Sequence, residues 1–290
     1  MIVDNVVARK ELRARMRGWG AGAETSLYLA ALAATALAVL FIQLSNSGYN
    51  PTEAGTQLFQ AVALAQLALV LIVTPLSFAR SISSERARGT WDLLLMTRLG
   101  SFEIIWGKLW AGLAFNLWLA FAALPLFAVG FAFQWVPLSQ FAKVYTVLLA
   151  TMLLLGSIGL LFSILARSGA RAMAYAAMFT AAVSAALSGL ILSAGKGGGI
   201  ILGPYRLSPD WTRLAPFDPL AALIAALPNG RAVSALGPLA ASQNALGFPL
   251  ATWAAYVLVS VCISAAALVV TARHVRPTAQ RSVESGAKGS

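Results

Sequence analysis

Six long apolar runs, separated by charged or turn-rich segments, dominate the 290-residue chain. Each run is close to the roughly 20 residues that a helix needs to cross a bilayer core. None alternates in polarity over about ten residues, as a membrane β-strand would. The pattern therefore predicts an all-α, polytopic membrane protein with about six transmembrane helices. The predicted spans are residues 26–44, 58–79, 109–133, 144–166, 172–194 and 250–272.

The composition supports a lipid environment, because 59% of the residues are hydrophobic and only 11% are charged, against about 25% charged in soluble domains. A net charge of +11 would in a soluble protein suggest nucleic-acid binding. However, 16 of the 21 Lys and Arg lie in segments that share one side of a six-span topology, namely 1–25, 80–108, 167–171 and 273–290. The positive-inside rule makes this side cytoplasmic. We therefore expect a multi-pass protein of the cell membrane, with both termini cytoplasmic and no nucleic-acid partner.

The whole chain, residues 1–290, is predicted to be a single transmembrane domain. Residues 1–25 are a basic cytoplasmic flank, which either lies on the membrane as an interfacial helix or remains solvated. Because these residues are charged rather than apolar, we expect no cleaved leader. Residues 81–108 form a cytoplasmic segment between spans 2 and 3, and residues 273–290 a cytoplasmic tail.

Residues 196–248 are predicted to form a long extracytoplasmic loop, and residues 46–56 a short one. The long loop is rich in Gly and Pro but contains two apolar pieces, 220–227 and 232–241. Both pieces are too short to span a bilayer, so we expect them to be interfacial or re-entrant. Such a placement requires that protein or water satisfies the backbone polar groups.

The predicted spans carry no ionisable residue near their centres, and the lone cysteine, Cys262, lies in the last span. The sequence therefore predicts no catalytic residue, no metal site and no intrachain disulfide, and it disfavours an ion-coupled transporter or a membrane-embedded enzyme. It also contains no phosphate-binding loop. Gln60, Gln66 and Asn116 are the main neutral polar residues in the spans. We interpret them first as interhelical hydrogen-bonding residues and second as possible contacts on a substrate path.

The cytoplasmic segment between spans 2 and 3 contains ERARGTWDLLL followed by MTRLGSFEIIWGK. It resembles the signature of type 2 ABC exporter permeases, which is Glu-x-x-x-Gly-Thr, a nearby acidic residue, a Leu run, a Thr, an Ile-rich stretch and Gly-Lys. Arg98 stands where these permeases usually have Pro, and the N-terminal ARKELR, residues 8–13, is also similar to their opening. The matching residues are Glu85, Gly89, Thr90, Asp92, Leu93, Leu94, Leu95, Thr97, Glu103, Ile104, Gly107 and Lys108.

The resemblance implies that this segment is a coupling helix, which docks into a groove of a separate ATP-binding subunit. In the local pattern, Ser83 or Ser84 is predicted to cap that helix, with Glu85 in its first turn. The apolar stripe expected to enter the groove comprises Trp91, Leu94 and Leu95. The full set of predicted coupling residues is Glu85, Arg86, Gly89, Thr90, Trp91, Asp92, Leu94, Leu95 and Thr97. The alternative is a simple interfacial helix, with Arg86 and Arg88 on lipid phosphates.

As to function, the resemblance implies the permease subunit of an ABC exporter rather than an enzyme. ATP and magnesium would bind to the partner subunit, and this chain would bind no cofactor. Its partners would be the ATP-binding subunit, a second permease in a homo- or heterodimer, and membrane lipid. The neutral spans favour an apolar or amphipathic substrate. The alternative function is a non-transporting membrane scaffold or assembly factor for an extracytoplasmic enzyme.

Overall fold

A computed structural model describes residues 10–13, 16, 19–45, 50–91, 100–127, 137–166, 168–195, 200–202, 205–207, 211–228 and 251–287. These residues are almost entirely helical. The long helices are α1 (Trp19–Ser45), α2 (Pro51–Ala87), α3 (Ser101–Ala122), α4 (Leu138–Leu165), α5 (Gly169–Gly195) and α7 (Thr252–Ala287). The short elements are β1 (Ile200–Leu202), β2 (Tyr205–Leu207), a 3-10 helix (Trp211–Phe217) and α6 (Pro219–Ala226).

The predicted fold class is confirmed, since six helices among the described residues are long and apolar enough to cross a membrane. They are α1 to α5 and α7, in the order that the apolar runs predict. One feature was not predicted: β1 and β2 pair antiparallel, with Ile200 opposite Leu207. This hairpin lies within the long segment 196–248. Two strands of three residues each can pair locally without altering the helical architecture.

Helix α4 lies at the centre of the bundle and buries the largest share of its span. It packs against α2, α7, α5 and α3. Helices α1 and α5 bury the smallest share of their spans, so much of their apolar surface is left uncovered by this chain. Most of the buried apolar residues of α2, α4 and α6 belong to one core cluster, while a second cluster occupies the end of the bundle where α2 ends and α3 begins. We call this end the α2/α3 end.

Close approach of three helices at Phe78 depends on glycine. The ring of Phe78 on α2 is fully buried, and it lies against Gly112 of α3 and Gly156 of α4. A Cβ atom at Gly112 would overlap the ring, and one at Gly159 of α4 would lie 2.8 Å from Phe78 Cβ. Small residues let membrane helices approach closely, where packing rather than the hydrophobic effect drives their association. The Phe78 contact therefore fixes α2, α3 and α4 together beside the α2/α3 end.

Candidate functional site

Helix α2 continues through Ser83 and Glu85 and ends at Ala87. The prediction that a new helix begins at Ser83 or Ser84, with Glu85 in its first turn, is therefore wrong. The hydroxyl of Ser83 is buried and donates a hydrogen bond to Ala79 O at 2.8 Å, one turn earlier in the same helix. A serine can satisfy its hydroxyl in this way inside a helix, so nothing in the sequence breaks the helix before Gly89.

Gly89 follows the end of α2 and has a φ of 68°. This left-handed conformation is costly for residues with a Cβ atom, and glycine commonly adopts it just after a helix. The Gly89 N–H donates to Arg86 O at 3.1 Å, and the Thr90 hydroxyl donates to Glu85 O at 3.3 Å. Both bonds satisfy carbonyls at the helix end. Arg88, Gly89 and Thr90 form an exposed turn, which we call the coupling turn.

Trp91 faces the interior of the chain instead of a partner. Only 4% of its surface is exposed, and it packs in the apolar cluster of the α2/α3 end. The guanidinium of Arg86 lies 5.7 Å from the centroid of its ring, and Arg86 Nη1 donates to Ile164 O at 2.8 Å. The prediction that Trp91 belongs to an apolar docking stripe is therefore wrong for this conformation, because its large apolar surface is already buried. Trp91 instead anchors the coupling turn to α4.

A buried lysine joins the segments that resemble the permease signature. The side chain of Lys108, on α3, has no exposed surface. Its Nζ lies 2.5 Å from Glu11 Oε1 and 3.0 Å from Glu85 Oε2. It also donates to Ser81 O at 3.3 Å. Both carboxylates are mostly buried, so water screens this triad little, and a buried ammonium needs such partners.

The triad brings together three pieces of sequence that were matched to the permease signature separately. Glu11 comes from the N-terminal ARKELR and Glu85 from ERARGT, while Lys108 closes the Gly-Lys pair. Sequence reasoning did not predict their contact. The sequence contained one indication of this contact: Lys108 stands at the start of an apolar run, where a buried cation needs an oppositely charged partner. We call Glu11, Glu85 and Lys108 the ionic triad.

The predicted coupling residues fall into two groups, those within the described residues and those outside them. Asp92, Leu94, Leu95 and Thr97 lie outside the described residues. Gly100 is the next described residue after Trp91, and its N–H donates to the Glu103 carboxylate at 3.1 Å as α3 begins. Of the predicted set, Glu85, Arg86, Gly89, Thr90 and Trp91 are described, and all five lie at the α2/α3 end.

Asn116 makes the interhelical contacts expected of a packing residue. Its Oδ1 accepts a hydrogen bond from the Thr74 hydroxyl at 3.0 Å, and its Nδ2 donates to Gly112 O at 2.9 Å and Ser77 Oγ at 3.4 Å. Thr74 and Ser77 are on α2, whereas Asn116 is on α3. Because only 2% of Asn116 is exposed, it has no surface on an open path in this conformation.

Gln60 and Gln66 of α2 are also fully buried. Gln60 Nε2 donates to Pro228 O at 2.6 Å, which joins α2 to the segment that follows α6. Gln66 lies beside the hydroxyls of Tyr28 and Tyr145, although its amide atoms make no hydrogen bond of standard geometry within the described part of the chain. The three residues predicted as possible path contacts are therefore all inside the bundle, in different places.

Helix α6 corresponds to the apolar piece predicted at 220–227, and it packs into the helix bundle against α7, α4, α5 and α2. Asp218, the residue that caps its N-terminus, is fully buried, and the sequence did not identify it. The carboxylate of Asp218 accepts from Leu220 N at 3.1 Å and from the Ser188 hydroxyl of α5 at 2.7 Å. The other predicted piece, 232–241, lies outside the described residues.

A comparison with curated proteins finds no match to the sequence. In contrast, residues 5–276 match the family described as ABC-2 family transporter protein. The matched range contains all six candidate spans, the coupling turn and the ionic triad. The resemblance to type 2 ABC permeases is therefore confirmed, and the chain belongs to the ABC-2 transporter family, as the permease subunit of an ABC transporter.

Proposed function

We propose that this permease exports an apolar or amphipathic substrate, driven by ATP hydrolysis in a separate subunit that docks at the coupling turn. The ionic triad is the observation that carries this proposal. It ties the end of α2, the start of α3 and the N-terminal segment at one buried point. A push on the exposed turn beside it would therefore move three segments of the permease together.

In this mechanism the partner contacts Arg88, Gly89 and Thr90, which are exposed. Trp91 and Arg86 hold the coupling turn against α4. A force on the turn would therefore move α4 and would not merely displace the turn. Lys108 passes that motion to α3 and, through Glu11, to the N-terminal segment. Asp92, Leu94, Leu95 and Thr97 remain proposed partner contacts on the basis of the permease signature.

The proposed orientation places the coupling turn and both termini in the cytoplasm, at the cell membrane. Its support is the concentration of 16 of the 21 basic residues on that side. ATP and magnesium would bind to the partner subunit, and this chain would contribute positioning and motion but no covalent chemistry. A second permease, identical or related, would complete the transporter. The uncovered apolar surfaces of α1 and α5 are available to that second permease and to lipid.

The proposed substrate class follows from the spans, whose buried polar groups are neutral amides and hydroxyls near their centres. A charged solute moved among them without a partner would lose most of its hydration energy. We retain Gln60, Gln66 and Asn116 as proposed contacts with the substrate on its path through the permease. Because all three are buried in this conformation, each would meet substrate only after the helices separate.

Gly89 offers a test of the docking proposal. Gly89→Pro should abolish coupling, because Pro fixes φ near −65° and cannot adopt the observed φ of 68°. Gly89→Asn is the matched control, since Asn tolerates the left-handed conformation. The measurement is copurification of the partner ATP-binding subunit, and the permease dependence of its ATP hydrolysis. Full binding and coupled hydrolysis with Gly89→Pro would refute docking at this turn.

A further inference from the structure

We propose that Gln66, Tyr28 and Tyr145 form a binding site for a neutral amide or hydroxyl group on an otherwise apolar molecule that the permease exports. The inference rests on the proposed function, because it names a chemical feature of the exported molecule. We call these three residues the polar site. They come from α2, α1 and α4 respectively, so the site lies within one permease chain.

The polar site contains buried groups that the chain does not pair. Gln66 has no exposed surface and stands near the middle of the candidate span Glu53–Ser83. Within the described part of the chain, neither its amide nitrogen nor its amide oxygen makes a hydrogen bond of standard geometry, and the same holds for the buried hydroxyl of Tyr28. Buried polar groups in proteins are nearly always paired, and an unpaired one is costly. Three such atoms together point to a group supplied from outside the chain.

The donors and acceptors of the polar site define what it can bind. Tyr145 donates its hydroxyl proton to Ala120 O at 3.1 Å, so its oxygen can only accept further bonds. Both tyrosine hydroxyls lie beside the Gln66 amide, which has two N–H donors and an oxygen with two lone pairs. If Gln66 donates to Tyr145 and accepts from Tyr28, one N–H and one lone pair still remain. The site therefore matches a group that both accepts and donates, as an amide or a hydroxyl does.

The surroundings of the polar site exclude charged groups. Among the described residues, no ionised side chain acts on either tyrosine hydroxyl, and the two rings belong to the apolar core cluster or pack against it. An ammonium or carboxylate group would lose its hydration there without gaining a counter-ion. A hydrocarbon, in contrast, would leave the amide of Gln66 unpaired. A site of this kind discriminates strongly against analogues that lack the hydrogen-bonding group.

Helix α1 separates the polar site from the membrane. Tyr28 is buried, whereas its neighbour Leu27 is 74% exposed, so the outer face of α1 is one helix thickness from the site. Helix α1 packs chiefly against α2 and buries little of its span, while α4 buries the most. Displacement of α1 would therefore open the polar site to the bilayer and leave Gln66 and Tyr145 in place. An apolar molecule dissolved in the membrane could then enter sideways.

Gln66→Leu removes the whole amide at nearly constant size, and Tyr28→Phe removes one unpaired hydroxyl. Neither variant breaks a hydrogen bond of standard geometry among the described residues. Tyr256→Phe is the matched control, because it also removes a buried tyrosine hydroxyl, one that is paired with Thr151 Oγ1 at 2.8 Å. Tyr256 is on α7, outside the polar site. It should affect stability but not binding at the polar site.

The test is photo-crosslinking of the permease alone, in lipid nanodiscs, with a decanamide that carries a diazirine in its alkyl chain. Unlabelled decanamide should compete at a concentration in the lipid at least about tenfold lower than dodecane or decylammonium, because only the amide pairs with Gln66. Gln66→Leu should abolish this preference, Tyr28→Phe should weaken it, and Tyr256→Phe should leave it within about twofold of the parent. Equal competition by decanamide and dodecane in the parent, or a full preference in Gln66→Leu, would overturn the inference.

Thermal unfolding of the same proteins separates a binding role from a packing role. Without decanamide, Gln66→Leu should be at least as stable as the parent, because it removes an unpaired buried amide. Decanamide should raise the melting temperature of the parent and not that of Gln66→Leu. A less stable Gln66→Leu protein that responds to decanamide as the parent does would show a packing role and overturn the inference.

Both measurements use the permease without its ATP-binding subunit, so failure of the docking proposal would not alter them. The export proposal is tested separately, by the stimulation of ATP hydrolysis in the complete transporter. If decanamide and dodecane stimulate hydrolysis equally, export of apolar molecules is supported while the polar site is refuted. If decanamide stimulates hydrolysis and dodecane does not, and Gln66→Leu removes the difference, both proposals are supported.

Discussion

At the residue scale, Lys108 determines how the α2/α3 end is held together. Its ammonium lies between two carboxylates from segments that are distant in sequence, with 97 positions separating it from Glu11. The triad carries one more negative than positive charge, so loss of the lysine would leave two carboxylates facing each other. Buried ion pairs are weak sources of stability, but breaking one by removing a single partner is strongly destabilising.

We therefore predict that Lys108→Met destabilises the permease by about 3 kcal/mol or more. The triple variant Lys108→Met, Glu11→Gln, Glu85→Gln removes every charge of the triad, and it should recover much of that loss. The measurement is the temperature at which half of the detergent-purified protein is lost from its monodisperse peak. If the triple variant is no more stable than Lys108→Met alone, unpaired charge is not the cause.

At the element scale, α2 is positioned by the fit of Phe78 against glycines of α3 and α4. The fit explains why small residues stand at these points, since a single added methyl group would overlap the ring of Phe78. Helix α2 also continues past Pro75, so the proline does not end the span. The helix instead reaches the coupling turn as one element and can transmit motion along its length.

Gly112→Ala is predicted to destabilise the bundle by about 1–3 kcal/mol, as overpacking does in well-packed cores. Phe78→Leu in the same chain should recover part of the loss by making room for the methyl group. Gly189→Ala on α5 is the matched control, because within the described part of the chain nothing beyond its own stretch of helix backbone lies within 4 Å of the added Cβ. Equal thermal stability of the Gly112→Ala and Gly189→Ala proteins, measured in detergent, would contradict the close packing described at Phe78.

At the scale of the whole molecule, the two ends of the bundle are held differently. The α2/α3 end combines charges with a compact apolar cluster, which suits transmission of force from a partner. The opposite end holds α6 through neutral packing and two hydrogen bonds to the long helices.

The orientation of the whole molecule can be tested with single cysteines in a Cys262→Ala background, which is needed because Cys262 is exposed on α7. We predict that Leu138→Cys, exposed at the start of α4, reacts with an impermeant maleimide in intact cells. Arg88→Cys, on the coupling turn, should react only after the membrane is permeabilised. Labelling of position 88 in intact cells would reverse the proposed topology.

The sequence by itself determined the six spans, because the length of an apolar run is a property of consecutive residues. It also identified the permease signature, whose residues lie within about 25 positions of one another and need no folded partner to be recognised. Its predictions of where a helix begins within that signature, and of which way Trp91 faces, were wrong. Helix α2 runs on to Ala87, and Trp91 faces inward, because neighbouring helices supplied contacts that local periodicity does not contain.

Only the tertiary structure decided which distant residues meet. Glu11 and Lys108 are each an ordinary charge in the sequence, and Asp218 is an ordinary residue of a long loop. Packing of α2, α3 and α4 brings the first two to one buried point, and packing of α5 against α6 places Ser188 beside the third. A buried charge or carboxylate must find a partner, but which partner it finds depends on how the helices pack.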